Sequence, residues 1–586
     1  MRLDAASLAV LVARLSGVAD EMGAVLRRAA YSPNIKERAD CSAAVFTADG
    51  ELLAQAEHIP VHLGAMPAAV RAAIDAVGPD IPSASQIALN DPFAGGTHLN
   101  DLTLVAPVHV NGVLVGWVAN RAHHADVGGL APGSMPPDAT HIDEEGLRLG
   151  PTLLAPEVER TFVECSRSPD ERRGDLAAQR GANVVGARRL AAIIDELGSV
   201  EPLAQIVDYG ERRMRAALAA LPDGMWTFDD VIESTGPRAD QQNPVRITVA
   251  LTIDGDTATF DFTGTGSQQP GNVNAVEAVT VSAVAFALRT ATDPTIPANG
   301  GALRPVRVVA PAGSIVAARP PAAVGAGNVE VSQRVADVCL GALAQVCPDR
   351  VGAAGQGTMN NVLIGGVSAA GEWVYYETLG GGQGGRPGRA GMSGVHTAMT
   401  NTADTPVEAL ERSMPLRIRR YTLRRGSGGH GRFPGGDGIE RELELLTAAT
   451  VTIVTERRIR GPYGLAGGEP GAPGENWWLP SGEESSREPM AAKETRDGIA
   501  GDVLRVLTPG GGGWGTDTDP PWRSPPPFAR GSGRGKVEND VLRSGDDHWP
   551  RARAAGDLAG AGPRTQPELG SRPFDGAPRA VHPGRP

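Results

Sequence analysis

Apolar residues near the start of the chain fall at Leu8, Leu11, Leu15, Val18, Met22 and Val25. Spacings of three and four put them on one side of a helix that packs into a core, with Asp4 or Ser7 as its N-cap. The period then changes to two. Cys41–Ala54 alternates around Asp49-Gly50, which predicts two strands and a hairpin turn. Leu102–Val110 and Val113–Asn120, joined by Asn111-Gly112, form a second and stronger hairpin with polar side chains clustered around it. Further helices are predicted at 67–77, 181–220, 274–292 and 330–346. Strands are predicted at 245–263, turning at Asp254-Gly255, at 302–318 and at 438–459.

Glycine becomes denser after 350, and near 515 the periodicity stops. Residues 516–586 hold 12 prolines and no isoleucine, so this tail cannot offset its ordering entropy by burial and is expected to be disordered. The expected fold is a multi-domain α+β protein with mixed or antiparallel sheets, packed helices and a disordered C-terminal tail. Its parts are an N-terminal α+β domain (1–240), a middle α+β domain (241–350), a Gly-rich β domain (351–515) and the tail (516–586). A length of 586 residues suits two to four folded units, and 41% hydrophobic residues support large cores.

A net charge of −13 argues against a nucleic-acid partner. The only lysines are Lys36, Lys493 and Lys536, so the body of the chain has no phosphate-loop lysine and no Schiff-base lysine. If ATP matters, a partner binds it. The G-x-G-x-x-G matches at Gly380, Gly426 and Gly510 lack a strand-to-helix context, and G-x-S-x-G does not occur. Cys41, Cys165, Cys339 and Cys347 include no C-x-x-C pair, which fits small core residues in a reducing cytoplasm. No membrane span or signal peptide is legible.

Seven of the 11 histidines precede residue 142. The central block reads Asn90-Asp-Pro-Phe-Ala-Gly-Gly-Thr-His98-Leu-Asn-Asp101 and, after the hairpin, Arg121-Ala-His123-His124-Ala-Asp126-Val-Gly-Gly129. Imidazole and carboxylate together suit divalent Mn, Fe or Zn. A hairpin brings its entrance and exit together, so the two groups are expected to meet. Alternation puts His124 and Asp126 on one face and His123 on the other. The expected metal ligands are therefore His98, Asp101, His124 and Asp126, with His123 as proton carrier or substitute ligand. A hydrogen-bonded polar cluster is the alternative for the same residues. Glu144 or Glu145 is a candidate general base, against a solvated acidic turn. His58 and His62 read as core or loop histidines. Gly325-Ala-Gly-Asn328-Val-Glu330-Val-Ser-Gln333-Arg334 precedes a helix and suits either a backbone anion site or an ordinary N-cap.

These blocks resemble the hydantoinase B / 5-oxoprolinase family, whose relatives include the carboxylating subunits of acetone and acetophenone carboxylases. The resemblance runs from about residue 3 to 515. It also rests on Asn34-Ile-Lys-Glu-Arg-Ala-Asp40-Cys-Ser, His58-Ile-Pro-Val-His62-Leu-Gly, Pro132-Gly-Ser-Met-Pro and Gly428-Gly-His-Gly-Arg-Phe-Pro-Gly-Gly-Asp-Gly. The tail beyond Gly515 has no counterpart in the family pattern, His430 stands where a small residue is common, and Val331 where threonine is usual. The resemblance implies a separate hydantoinase A-type ATP-binding subunit that phosphorylates the substrate oxygen, and hence a hetero-oligomer. The family's histidine–aspartate block falls on His98, Asp101, His123, His124 and Asp126.

The expected function is the B-type subunit of an ATP-dependent cyclic amidohydrolase that opens a hydantoin or 5-oxoproline ring. His123, Glu144 and Glu145 would move protons, and Asn328, Glu330 and Arg334 would orient the small-molecule substrate. The alternatives are the α-type subunit of an ATP-dependent ketone carboxylase and a non-catalytic scaffold for the ATPase.

Overall fold

The computed structural model describes residues 3–56, 59–78, 81–369 and 371–516. His58 and, apart from Thr516, the tail expected to be disordered lie outside them. Asp4 caps α1 (Ala5–Ala29) by accepting a hydrogen bond from the Ser7 N–H at 2.7 Å, and Leu11, Leu15, Val18 and Met22 form the buried stripe. A single turn, α2 (Pro33–Lys36), leads into a six-stranded antiparallel sheet. Its strands are β1 (Cys41–Thr47), β2 (Leu52–Ala56), β3 (Ile87–Leu89), β4 (Asp101–Val110), β5 (Val113–His123) and β6 (Thr152–Leu153), in the order β2-β1-β5-β4-β3-β6.

Both faces of this sheet are covered, so β1 is buried along its length from Cys41 to Phe46 and not only on alternate residues. Ala44, Phe46 and Trp117 pack under α3 (Ala65–Val77). After α4 (Pro156–Glu164) come α5 (Pro169–Leu197) and α6 (Glu201–Leu218), which join α1 over Ala43, Val45 and Val118 on the other face. The single helix expected at 181–220 is thus two helices, because Gly198 takes a left-handed backbone (φ 67°) that ends α5.

Four strands, β7 (Gly224–Ile232), β8 (Val245–Asp254), β9 (Thr257–Asp261) and β10 (Val306–Val309), form a mixed sheet in the order β10-β9-β8-β7, with β9 and β10 parallel. Helices α7 (Glu277–Ala291) and α8 (Ser332–Val346) pack against it through Val279, Ala283, Val335 and Val338. Only four residues of the expected 302–318 strand segment are strand. Pro305 and Pro311 bracket them and cannot donate to a ladder. A π-turn, Gly327–Val331, feeds α8.

The remaining elements are β11 (Asn361–Ser368), β12 (Gly371–Thr378), α9 (Val407–Ser413), β13 (Leu416–Arg424), β14 (Gly438–Leu445), β15 (Ala449–Val454), β16 (Glu475–Leu479), β17 (Glu488–Pro489), β18 (Lys493–Gly498) and β19 (Val503–Leu507). They form two sheets, β12-β11-β15-β18 and β13-β14-β19-β16-β17. The sheets share one core, in which Val362, Ile364, Val451 and Ile453 meet Leu443, Leu445, Leu504 and Val506. Glycine-rich loops cross beside them at distances that exclude any side chain: a Cβ on Gly382 would lie 2.0 Å from the Gly436 carbonyl oxygen and 2.1 Å from the Gly511 nitrogen. The architecture is mixed α+β. Among the described residues no helix is long and apolar enough to cross a membrane.

The β4–β5 hairpin decides which side chains meet at its open end. Asn111 (φ 52°) and Gly112 (φ 78°) form its two-residue turn, and Val110 pairs with Val113. Between Val108 and His109 the register shifts by one residue, so Asp101 pairs with His123. Without that bulge it would face Ala122. Gly112→Val forces a branched residue into a left-handed backbone. A Cβ there has nothing within 4 Å, so the cost is the backbone's alone, about 1–2 kcal/mol. Gly112→Asn should cost clearly less, and denaturant unfolding of both variants checks this.

Candidate metal centre

Four segments converge at the open end of the hairpin. His98 lies in the turn before β4, Asp101 is the first residue of β4, and His123 is the last of β5. Directly paired residues share a sheet face, so the register brings the Asp101 carboxylate and the His123 imidazole together. The third segment is the 3-10 turn Pro60–His62 and the fourth the π-turn that carries Asn328.

Three donor atoms form a compact triangle. His98 Nε2 lies 3.1 Å from His123 Nδ1, and Asp101 Oδ1 lies 3.2 Å from the first and 3.3 Å from the second. Atoms that bind one first-row cation at about 2.0–2.2 Å stand about 2.8–3.6 Å apart in octahedral or tetrahedral sites, so the triangle has the right size. All three residues are buried. The other sides of Asp101 and His98 are held as well. The Thr97 hydroxyl donates to Asp101 Oδ2, and His62 Nε2 lies 3.4 Å from the same oxygen. His62 Nδ1 in turn meets Ser42 Oγ at 2.9 Å. His98 Nδ1 faces the Gly325 carbonyl at 3.4 Å. A small cavity opens beside the triangle, lined by Asp40, His62, Asp101, His123, Asn328, Tyr376, Thr400 and Thr402 with Ile59, Val61, Val329 and Met359.

Burial sets the protonation of these groups. It works to raise the Asp101 pKa, but His98 and the hydrogen bonds from His123 and His62 outweigh it and hold the carboxyl well below its ordinary value. Burial pulls His123 down to about 4, which leaves that ring neutral near pH 7, and burial also lowers His62. His98 is opposed by burial yet raised by Asp101. Desolvation lifts Asp40, on the cavity wall, to about 6 against the pull of Arg38.

Several expected site residues lie elsewhere. His123 and His124 do point in opposite directions, but the bulge makes His123 the one that faces Asp101. His124 turns to Gln179 Oε1 at 3.0 Å and packs edge-on against Phe162. Asp126 accepts hydrogen bonds from the N–H groups of Gly128, Gly133 and Arg167 and pairs with the Arg167 guanidinium at 2.8 Å. It builds a loop and does not reach the triangle. Glu144 caps a 3-10 turn by accepting from the Thr140 and His141 N–H groups. Glu145 is buried and accepts from the Val324 and Gly325 N–H groups at 3.0 and 2.7 Å. The backbone groups suited to an outside anion are thus taken by the chain's own carboxylate, which burial raises to about 8.

Of the three expected substrate-binding residues only Asn328 lines the cavity, with Nδ2 3.5 Å from Asp101 Oδ2. Glu330 lies behind it, accepting from Asn361 Nδ2 at 2.9 Å, and burial raises its pKa to about 8. Arg334 belongs to a buried ion network with Asp230, Asp337 and Glu456, where Arg457 and Lys493 also pair. Its guanidinium is engaged there. The sequence reading missed His62, Asp40 and Tyr376. His62 carried a signal, since it stands in a histidine-rich stretch before β4; Tyr376 carried none.

Fold and site together define a mixed α+β protein with a buried cluster of two histidines and one carboxylate at the end of a hairpin. A sequence profile for hydantoinase B/oxoprolinase matches residues 4–517, and the chain belongs to that family. It is 39% identical to an uncharacterised protein of Methanocaldococcus jannaschii, over 88% of this chain and 91% of the relative. It is also 39% identical to 5-oxoprolinase 1 of Arabidopsis thaliana, where 88% of this chain spans only 42% of the relative. A Pseudomonas protein named as the B-type subunit of a D-/L-hydantoinase is 31% identical, over 88% of this chain and 90% of its own length. The ATP-dependent caprolactamase of Pseudomonas jessenii superposes with a TM-score of 0.82 at 28% identity, covering 88% of this chain and 92% of that one. Acetone carboxylase in a nucleotide-free structure shares the fold, with a TM-score of 0.80 at 17% identity over 87% and 75% of the two chains.

Removing Arg334 from its network strands buried carboxylates. Arg334→Met should therefore cost about 3–5 kcal/mol of stability in urea unfolding. Glu330, raised from 4.5 to about 8, binds its proton more tightly in the folded state. Its contribution to stability therefore falls as pH rises through that window. Glu330→Gln should flatten the loss of stability between pH 5 and 8 relative to the parent, as read by unfolding midpoints.

Proposed function

We propose that this chain is the B-type subunit of an ATP-dependent cyclic amidohydrolase, and that His98, Asp101 and His123 hold a divalent cation, Mn, Fe or Zn. The observation that carries this is the convergence of three buried donor atoms within 3.1–3.3 Å of one another beside a cavity. The cation supplies Lewis acidity toward a carbonyl oxygen.

The chain's own residues do the rest. Gly325 orients His98, and Thr97 and His62 hold the second oxygen of Asp101, so the ligand set is ordered before anything binds. Ile59, Val61, Val329 and Met359 line the small cavity beside the donor atoms, and Asn328 presents its amide there. Asp40 places a carboxylate in the same wall.

A separate A-type partner uses ATP in this scheme. Support comes from coverage: the chain matches nearly the whole of a B-type hydantoinase subunit but less than half of a 5-oxoprolinase. All four cysteines are free, which supports a reducing, cytoplasmic setting.

Metal analysis tests the site directly. The purified chain should carry about one divalent cation, and His98→Ala, Asp101→Ala and His123→Ala should each lower its affinity at least about tenfold. His124→Asn should retain it. In complex with the A-type subunit, ATP-dependent opening of hydantoin or 5-oxoproline should disappear with the metal. A folded chain that binds no metal, or triad variants that keep both metal and turnover, would refute the proposal. ATP-dependent bicarbonate fixation on acetone would instead place the chain with the ketone carboxylases.

A further inference from the structure

A histidine that binds a metal through one ring nitrogen normally donates its other N–H to a fixed partner, and that bond sets the ring's orientation. His98 follows the rule through the Gly325 carbonyl at 3.4 Å. His123 does not. Its Nε2 is buried and has no hydrogen-bond partner among the described residues. Some other contact must fix the plane that aims Nδ1 at His98 and Asp101.

That contact is aromatic. The Tyr376 ring lies 4.5 Å from the His123 ring, centroid to centroid, with only 17° between their planes. The tyrosine is held in turn. The Arg38 guanidinium sits over its ring at 5.1 Å, and Arg38 Nη1 donates to the Tyr376 carbonyl at 2.7 Å. The same nitrogen donates to Asn34 Oδ1 at 2.6 Å, while Asn34 Nδ2 donates to the His123 carbonyl at 2.7 Å. Arg38 Nη2 bonds Thr378 Oγ1 at 2.8 Å and anchors the end of β12. These contacts close a circuit: His123 backbone to Asn34, to Arg38, to Tyr376, and through the stacked ring to the His123 side chain.

We infer that Tyr376, clamped by Arg38, is a positioning residue for the metal centre, its ring replacing the hydrogen bond that would otherwise orient His123. This rests on the metal role proposed above. The phenol hydroxyl, which donates to Asn361 Oδ1 at 3.0 Å, is incidental to that task; the flat ring is what matters.

Cobalt(II) binding to the full chain, titrated against a chelator and followed by visible absorption, tests the inference. Tyr376→Phe keeps the ring and should bind within about twofold of the parent with an unchanged spectrum. Tyr376→Leu loses the stack and should bind about 10- to 100-fold more weakly with an altered ligand-field spectrum. Tyr376→Met, less branched at the site, carries the same test should the leucine variant not fold. Folded leucine or methionine variants with the parent's affinity and spectrum would overturn the role of Tyr376 and leave the metal centre standing. A parent chain that takes up no cobalt, or a His98→Ala variant that takes up as much, would remove the metal centre itself and the inference with it.

Discussion

A carboxylate removed from water must be met by positive charge or by hydrogen bonds, or the fold is destabilised by several kcal/mol. Asp101 is only 1% exposed, and the N-terminal site is built around meeting that demand. Oδ1 faces His98 and His123, and Oδ2 faces His62 and the Thr97 hydroxyl. Burial lowers the pKa of two of the three imidazoles, and the carboxylate raises that of the third against burial.

The same physical demand is met differently across the molecule. Asp230, Asp337 and Glu456 are answered by Arg334, Arg457 and Lys493 in a network that ties β7 and α8 to the segment after β15. There the cations are side chains whose nitrogen atoms are directed at the carboxylates. Around Asp101 the partners are imidazoles with lone pairs to offer. Both clusters are buried and rich in charge, but only one has the chemistry of a ligand set.

Period and turn chemistry made much of the fold legible. The helix stripe from Leu8, the Asp4 cap, the Asn111-Gly112 hairpin and the meeting of its two ends could all be read from residue spacing. Parity could not. A regular ladder from a two-residue turn puts His124 on the Asp101 face, and the single-residue bulge at Val108–His109 puts His123 there instead. Nothing in the local sequence marks that bulge. The Gly325 turn left two readings open for another reason: its N–H groups were visible, but their occupant, Glu145, lies 180 positions away. Arg38 and Tyr376 are 338 positions apart, and no periodic pattern links residues at that range.

The glycine-rich loops are packed differently from a phosphate loop. A phosphate loop needs backbone N–H groups turned toward an open space. Here Gly385 N–H donates to the Gly512 carbonyl at 2.8 Å, Gly436 N–H to the Gln383 carbonyl at 2.8 Å and Gly512 N–H to the Ala354 carbonyl at 2.9 Å. The glycines allow strands of backbone to touch, and the donors that would cradle a phosphate are consumed in that packing. Lys493, the one lysine between Lys36 and the tail, is paired with Glu456 at 2.6 Å in the interior. The chain thus commits these glycines and Lys493 to internal cohesion, while His98, Asp101 and His123 direct three donor atoms at one point beside a cavity.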